Sequence, residues 1–321
     1  MLASQPRVAF LGLGNMASAC LRPLLTKNIV APTQVVGTRS SAKGIKASQS
    51  MFPKVAITSN NQEAAASADY VFLGVKPQDI SEFNASLRGH LKKDAVVISM
   101  AAGVSRAQLQ ETLQHEAVVR CMPNMPASIG QGMIPYIYAN CIGGDSRHAT
   151  EVHILLSAMG RAHVVAKEIH MDMATAVAGS TPAFFLLLQE AIADAGVHMG
   201  LKRSDAEVFV AQTMLGTAEL INLRTLKEPI VPAETPAEGS TGSNSASPNP
   251  QTLNTILHSI VSPGGLTAAA LAMASQHRFR HTINEMVWAS YRRSLEIADP
   301  GDRKIYGPGA WEPRVPVYNK K

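Results

Sequence analysis

The chain has 321 residues, 46% of them hydrophobic and 17% charged, with a net charge of +5, a length and composition that suit a globular protein of two domains. Its three cysteines, Cys20, Cys121 and Cys141, are odd in number and form no C-x-x-C, which argues against a disulfide scaffold or a zinc site and for reduced thiols in the cytoplasm. Lys and Arg are scattered without a stripe for nucleic acid, no secretory leader is visible, and no apolar run is expected to reach the ~20 residues of a membrane span.

Short strands and helices alternate through the first half. Strands are expected at Val8–Leu11, Gln34–Gly37, Tyr70–Val75, Ala95–Ser99 and Ala117–Met122, with Ala162–Val165 closing the series. Most are near-continuous apolar runs, as in a parallel sheet covered by helices on both faces. Ala17, Leu21, Leu24 and Leu25 mark one face of the first helix, and Pro23 inside it is expected to kink or shorten it. Ser105 with Gln108 reads as a capping box. This alternation predicts a doubly wound α/β domain over residues 1–168.

Beyond it the strand signal stops. Helices are expected over Asp172–Val197, Arg203–Leu223 and His277–Ile297, with shorter ones at Thr252–Ile260 and Leu266–Ala274. The run Ala183-Phe184-Phe185-Leu186-Leu187-Leu188 is apolar around its circumference, which predicts an oligomer interface in an all-α domain over 169–298. Residues 228–250 hold five prolines, three acids and no base, so a flexible insertion is expected there, and 299–321 reads as an irregular tail.

The chemistry starts at Gly12-Leu13-Gly14-Asn15-Met16-Ala17. This stretch lies between a buried strand and a helix, the context in which a glycine turn cradles a pyrophosphate. The second strand ends in Thr38-Arg39-Ser40-Ser41 with no acid for a ribose 2′-hydroxyl. Arg39 and the neighbouring hydroxyls suit a 2′-phosphate, which favours NADPH over NADH. In the second half, Ser262-Pro263-Gly264-Gly265-Leu266-Thr267 opens a helix whose N–H groups suit a carboxylate. A simple helix cap by Ser262 or Thr267 is the alternative there.

Further stretches converge on a family: "VFLGVKPQ", "AAGVS", "RCMPNMPASIGQG", "DMATAVAGSTPAFFLLLQEAIADAGVHMGL" and "SPGGLT". In this order, and over most of the chain, they resemble pyrroline-5-carboxylate reductases. The resemblance implies a Rossmann domain followed by an all-α dimerisation domain, a homodimer or dimer-based oligomer, and NADPH-dependent reduction of the C=N bond of 1-pyrroline-5-carboxylate to proline. It implies that Gly12, Gly14, Asn15 and Met16 hold the pyrophosphate and that Arg39 and Ser40 meet the adenosine end. Val75, Lys76, Pro77, Ala101 and Ala102 would line the cofactor, and Pro123 and Asn124 would lie beside the nicotinamide. Ser262, Gly264, Gly265, Leu266 and Thr267 would hold the substrate, with Thr267 bonding its nitrogen.

Thr181 and Phe184 replace a glycine and a tyrosine of the family's Gly-Ser-Gly-Pro-Ala-Tyr. This keeps open a methylated or otherwise substituted pyrroline carboxylate as substrate, and beyond it a non-catalytic NADP-binding protein. His277, His281 and Glu285 recur at helical spacing, but neighbouring Arg278 and Arg280 favour a solvated face over a metal site.

Overall fold

The computed structural model describes residues 5–142, 147–225 and 252–298. The insertion expected at 228–250 and the tail at 299–321 lie outside the described residues. The chain forms two compact units, Met1–Pro182 with Val287–Lys321, and Ala183–Met286.

The first unit is built on one eight-stranded sheet: β1 (Val8–Leu11), β2 (Val35–Thr38), β3 (Ala56–Thr58), β4 (Tyr70–Leu73), β5 (Val96–Ser99), β6 (Val118–Cys121), β7 (Gly132–Tyr138) and β8 (Gly160–Val164). Their spatial order is β3-β2-β1-β4-β5-β6-β7-β8. The first six strands pair in parallel, β7 runs antiparallel to β6, and β8 is parallel to β7. The order reverses between β1 and β4, and at the carboxyl ends of such strands an open sheet leaves its binding crevice.

Helices α1 (Asn15–Thr26), α2 (Ala42–Met51), α3 (Asn61–Ser67), α4 (Ile80–Leu87), α5 (Arg106–Leu113) and α6 (Arg147–Ser157) connect the strands. One core layer gathers Phe10, Leu21, Leu24, Phe72, Val152 and Leu155, and the other gathers Leu11, Leu73, Val97, Leu109 and Leu113. Covering both faces is why β1, β4, β5 and β6 are buried at every position. Phe10 and Phe72 stack across β1 and β4 with ring centroids 4.5 Å apart. Truncating either ring would cost about 3–5 kcal/mol.

Two expectations change. Helix α1 is not shortened at Pro23: it runs on to Thr26 with Pro23 buried inside it. Proline removes one ladder bond, and the burial of Ala17, Cys20, Leu21 and Leu24 outweighs that loss. The single helix expected from Asp172 to Val197 is α7 (Glu168–Ala174), one π-helical turn (Thr175–Gly179) and α8 (Thr181–His198).

The first compact unit runs on through α7 to Pro182. Polar bonds hold α7 to the sheet. Arg120, at the end of β6 and 2% exposed, donates to Glu168 at 2.9 Å and Asp172 at 2.6 Å. Arg106 adds a bond to Glu168 at 3.0 Å. The chain's return through α12 (Phe279–Ala298) is clipped there as well, Ser290 to Ser180 at 2.6 Å and Ser294 to Asp172 at 3.4 Å.

The second unit is helical: α8 from Ala183, α9 (Arg203–Thr225), α10 (Leu253–Ile260), α11 (Leu266–Gln276) and the start of α12. Gly196 of α8 lets α9 approach at Ala206, and an Arg203–Asp194 ion pair of 2.6 Å closes their corner. Its core cluster contains only Ala193, Ala206 and Val210 among the described residues. Leu186, Leu187, Val208, Phe209, Leu215 and Leu223 stay exposed. Contrary to the expectation of no span-length apolar run, Glu168–His198 is long and apolar enough to cross a membrane. His277, His281 and Glu285 do not share one helix face, because Arg278 takes φ 52° and places His277 ahead of α12.

Candidate cofactor and substrate sites

The glycine turn sits at the carboxyl end of β1. Gly12 takes φ +80°, and its N–H donates to Oγ1 of buried Thr38 at 3.0 Å. Leu13 N–H donates to the Thr38 carbonyl at 2.8 Å and Gly14 N–H to the Gly12 carbonyl at 2.7 Å. Across the strand reversal, a Cβ on Gly74 would lie 2.5 Å from the Gly12 oxygen. Only hydrogen fits there, so β1 and β4 meet backbone to backbone under the turn.

Helix α1 then begins at Asn15 with no side-chain cap and no acid in its first turn. Its first N–H groups therefore stay open, at the positive end of the helix dipole. The Arg39 guanidinium reaches over the turn, with Nη1 donating to the Leu13 carbonyl at 2.9 Å and lying beside Gly14. An open helix N-terminus with a fixed arginine beside it fits a dinucleotide pyrophosphate and a phosphate at the adenosine end.

Two of the three hydroxyls read as candidate phosphate partners have other work. Thr38 holds the glycine turn, and Ser41 caps α2 by accepting the Gly44 N–H at 3.1 Å. Ser40 remains exposed.

Neighbouring strand ends carry the other expected cofactor positions. Val75 is half-buried against Gly12, Lys76 is exposed, and Pro77 opens a short turn to Asp79. After β5, Ala101 is buried and donates its N–H to Ser99 Oγ at 3.3 Å, while Ala102 is half-buried. After β6, Pro123 and Asn124 are buried. The Asn124 side chain points into the protein: Nδ2 donates to the Ala178 carbonyl at 3.1 Å and Oδ1 accepts the Met133 N–H at 2.9 Å.

The Arg120 cluster lies just before this segment. Burial works to raise the Glu168 carboxyl, but hydrogen bonds from Arg120 and Arg106 hold it below the usual carboxylate range. Burial pushes the Cys20 thiol up to about 12, and burial with the nearby Cys20 raises Cys121 well above its usual value. Neither thiol is poised as a nucleophile.

In the second unit, Gly265 N–H donates to the Ser262 carbonyl at 3.0 Å, closing a turn in which Gly264 takes φ +69°. Helix α11 starts at Leu266 with Gly265 as its N-cap and no side-chain cap bond. Neither Ser262 nor Thr267 caps it, so the capping alternative fails. Both hydroxyls are exposed, and the first N–H groups of α11 are open.

Sequence reasoning missed the inward role of Thr38, the Arg120 cluster and the π-helical turn. Thr38 reads as one more hydroxyl beside Arg39, and pairing between residues 120 and 168 has no local signal. The π-helical turn did leave one, in Pro182.

The family model described as pyrroline-5-carboxylate reductase dimerisation matches residues 168–297, and one described as NADP oxidoreductase, coenzyme F420-dependent, matches residues 7–103. A pyrroline-5-carboxylate reductase of Pseudomonas aeruginosa is 34% identical over 299 residues, covering 92% of this chain and 98% of the relative. One of Synechocystis is 34% identical over 291 residues, covering 91% and 98%. Among solved structures, the pyrroline carboxylate reductase of Plasmodium falciparum with NADP bound is 26% identical, with a TM-score of 0.75 over 91% of this chain and 98% of that one.

Proposed function

The chain belongs to the pyrroline-5-carboxylate reductase family, and from that premise we propose that it reduces the C=N bond of 1-pyrroline-5-carboxylate to proline with NADPH. The observation that carries this reading is the loop Ser262–Thr267, a hydroxyl-bearing turn that leaves the N-terminus of α11 open. Open N–H groups at Leu266 and Thr267 suit the substrate carboxylate. The Thr267 hydroxyl, free of any capping duty, donates a hydrogen bond to the imine nitrogen and so favours the charge that develops there, and solvent supplies the proton that the nitrogen gains as the ring carbon takes the hydride.

Bound NADPH supplies the hydride. What remains for the protein is orientation and charge, and no nucleophile is called for. Gly12, Gly14 and the first turn of α1 hold the pyrophosphate, and Arg39 reads the 2′-phosphate. A homodimer forms through the apolar face of the second unit, where Leu186, Leu187 and Phe209 are exposed on the single chain. The same contact accounts for the apolarity of Glu168–His198 without a bilayer. Cys20, Cys121 and Cys141 are all free thiols, which suits a reducing cytoplasm.

Thr181 and Phe184, standing where the family has glycine and tyrosine, motivate a second reading in which the ring carries a methyl group. Turnover of plain pyrroline-5-carboxylate, ring-methylated analogues and 2-oxo acids, each with NADPH, tests both. A higher kcat/KM on the plain ring supports the first reading, and preference for a methylated ring moves the substrate to the second. Reduction of the oxo acids alone would overturn both.

A further inference from the structure

In an α-helix the carbonyl of residue 178 receives the N–H of residue 182. Residue 182 is proline, which has no N–H, and its ring crowds the carbonyl four residues back. The helix answers with the π-helical turn Thr175–Gly179, and α8 restarts at Thr181 with Pro182 in its first turn, where a missing N–H does no harm. The Ala178 carbonyl thereby loses its α-helical donor at residue 182. Asn124, 8% exposed, donates to it at 3.1 Å and uses its oxygen on Met133 N–H.

This bond joins two segments that matter to the proposed reaction. Asn124 closes the stretch Arg120–Asn124, which leads off β6 into the expected cofactor-lining loop. Arg120, at the other end of that stretch, holds Glu168 and Asp172 of α7. Met122, between them, packs on the π-helical turn, with its Cε 3.7 Å from where a Cβ on Gly179 would lie. The chain leaving the first unit is thus pinned to the β6 loop at α7 and again at the π-helical turn.

We propose that Asn124 is a positioning residue, which holds Gly179–Pro182 in register with the β6 loop through the carbonyl that Pro182 leaves without its α-helical donor, and does not bind the dinucleotide itself. The inference rests on the reductase reading for its effect on turnover, and on this geometry alone for the role of the side chain.

The test is Asn124→Asp, which keeps the acceptor for Met133 and replaces the donor facing Ala178 with a carboxylate oxygen. It is made alone and together with Pro182→Ala, which restores an N–H at residue 182. Alone, Asn124→Asp is expected to lower the melting temperature by about 3–8 °C. It should lower kcat for pyrroline-5-carboxylate by about tenfold, while the NADPH Kd from fluorescence titration stays within about threefold of wild type. In the Pro182→Ala background its melting penalty should fall by at least half, because the helix can then close α-helically and give that carbonyl the residue-182 N–H as a donor.

A loss of NADPH affinity as large as the loss in kcat/KM would make Asn124 a cofactor ligand and overturn the proposal. So would an equal melting penalty in both backgrounds. Should the wild type reduce no pyrroline-5-carboxylate, the reductase reading falls. NADPH affinity and the melting comparison still decide what Asn124 does.

Discussion

The two units spend the same apolar residues differently. In the first, β1, β4, β5 and β6 are closed on both faces, and large side chains such as Phe10, Phe72 and Leu109 are fully buried. In the second, the helices bury a cluster of three among the described residues, and Leu186 and Phe209 lie more than half exposed. One unit has its core within the chain. The other buries little among its described residues, and it lies within the stretch that the dimerisation model matches.

The hardest push on that contrast is to charge the open face. Leu186→Asp with Phe209→Asp places two unpaired carboxylates in the proposed dimer contact, at about several kcal/mol each. The variant should sediment as a monomer and lose turnover, and its second unit should melt early while the first still binds NADPH. A variant that remains a dimer would move the contact elsewhere.

Thr267→Val acts within the second unit alone. It keeps the shape and removes the hydroxyl, so kcat should fall about 100-fold with NADPH affinity intact. Unchanged turnover would remove Thr267 from the reaction. Arg39→Ala acts within the first unit, and should raise the KM for NADPH about 10–100-fold with little change for NADH and none in assembly. Equal effects on both cofactors would show that Arg39 does not read the 2′-phosphate.

The smallest effect concerns Glu168, whose carboxyl is held below its usual range against the pull of burial. A depressed carboxyl contributes stability above its unfolded value, about pH 4, and that stability drains away as pH falls through the folded value. Melting curves from pH 7 down to pH 3 should show the wild type losing this increment, while Glu168→Gln, lower by about 2 kcal/mol at neutral pH, shows a flatter slope. Parallel curves would mean that the Arg120 cluster adds nothing through Glu168.

The same contrast explains what could be read from residues alone. Strands closed on both faces leave continuous apolar runs, so β1, β2, β4, β5 and β6 were legible to within a residue or two. Strand β3 was not: Ala56–Thr58 is short, partly exposed, and spells no run. Strand β7 carries Pro135, which argues against a strand until its register shows that Pro135 lies just past the last pair with β6, Cys121↔Tyr136. In the second unit long helices were expected where the strand signal stops, and its incompleteness followed from apolarity around the whole helix.

The strand-to-helix turn at Gly12 and Gly14 was legible, because a tight turn with Gly12 at φ +80° needs glycine. The bond from Asn124 to the Ala178 carbonyl had no local signal, since that partner lies 54 positions away and contributes only backbone.

The most direct measurement is NADPH oxidation on addition of racemic pyrroline-5-carboxylate, beside NADH, for the wild type and the charged monomer variant together. The wild type should consume NADPH with much less use of NADH, and the monomer should bind NADPH and consume none. A wild type that binds NADPH yet leaves it unoxidised would contradict the reductase reading, and a monomer turning over at the wild-type rate would contradict the dimer account of the second unit.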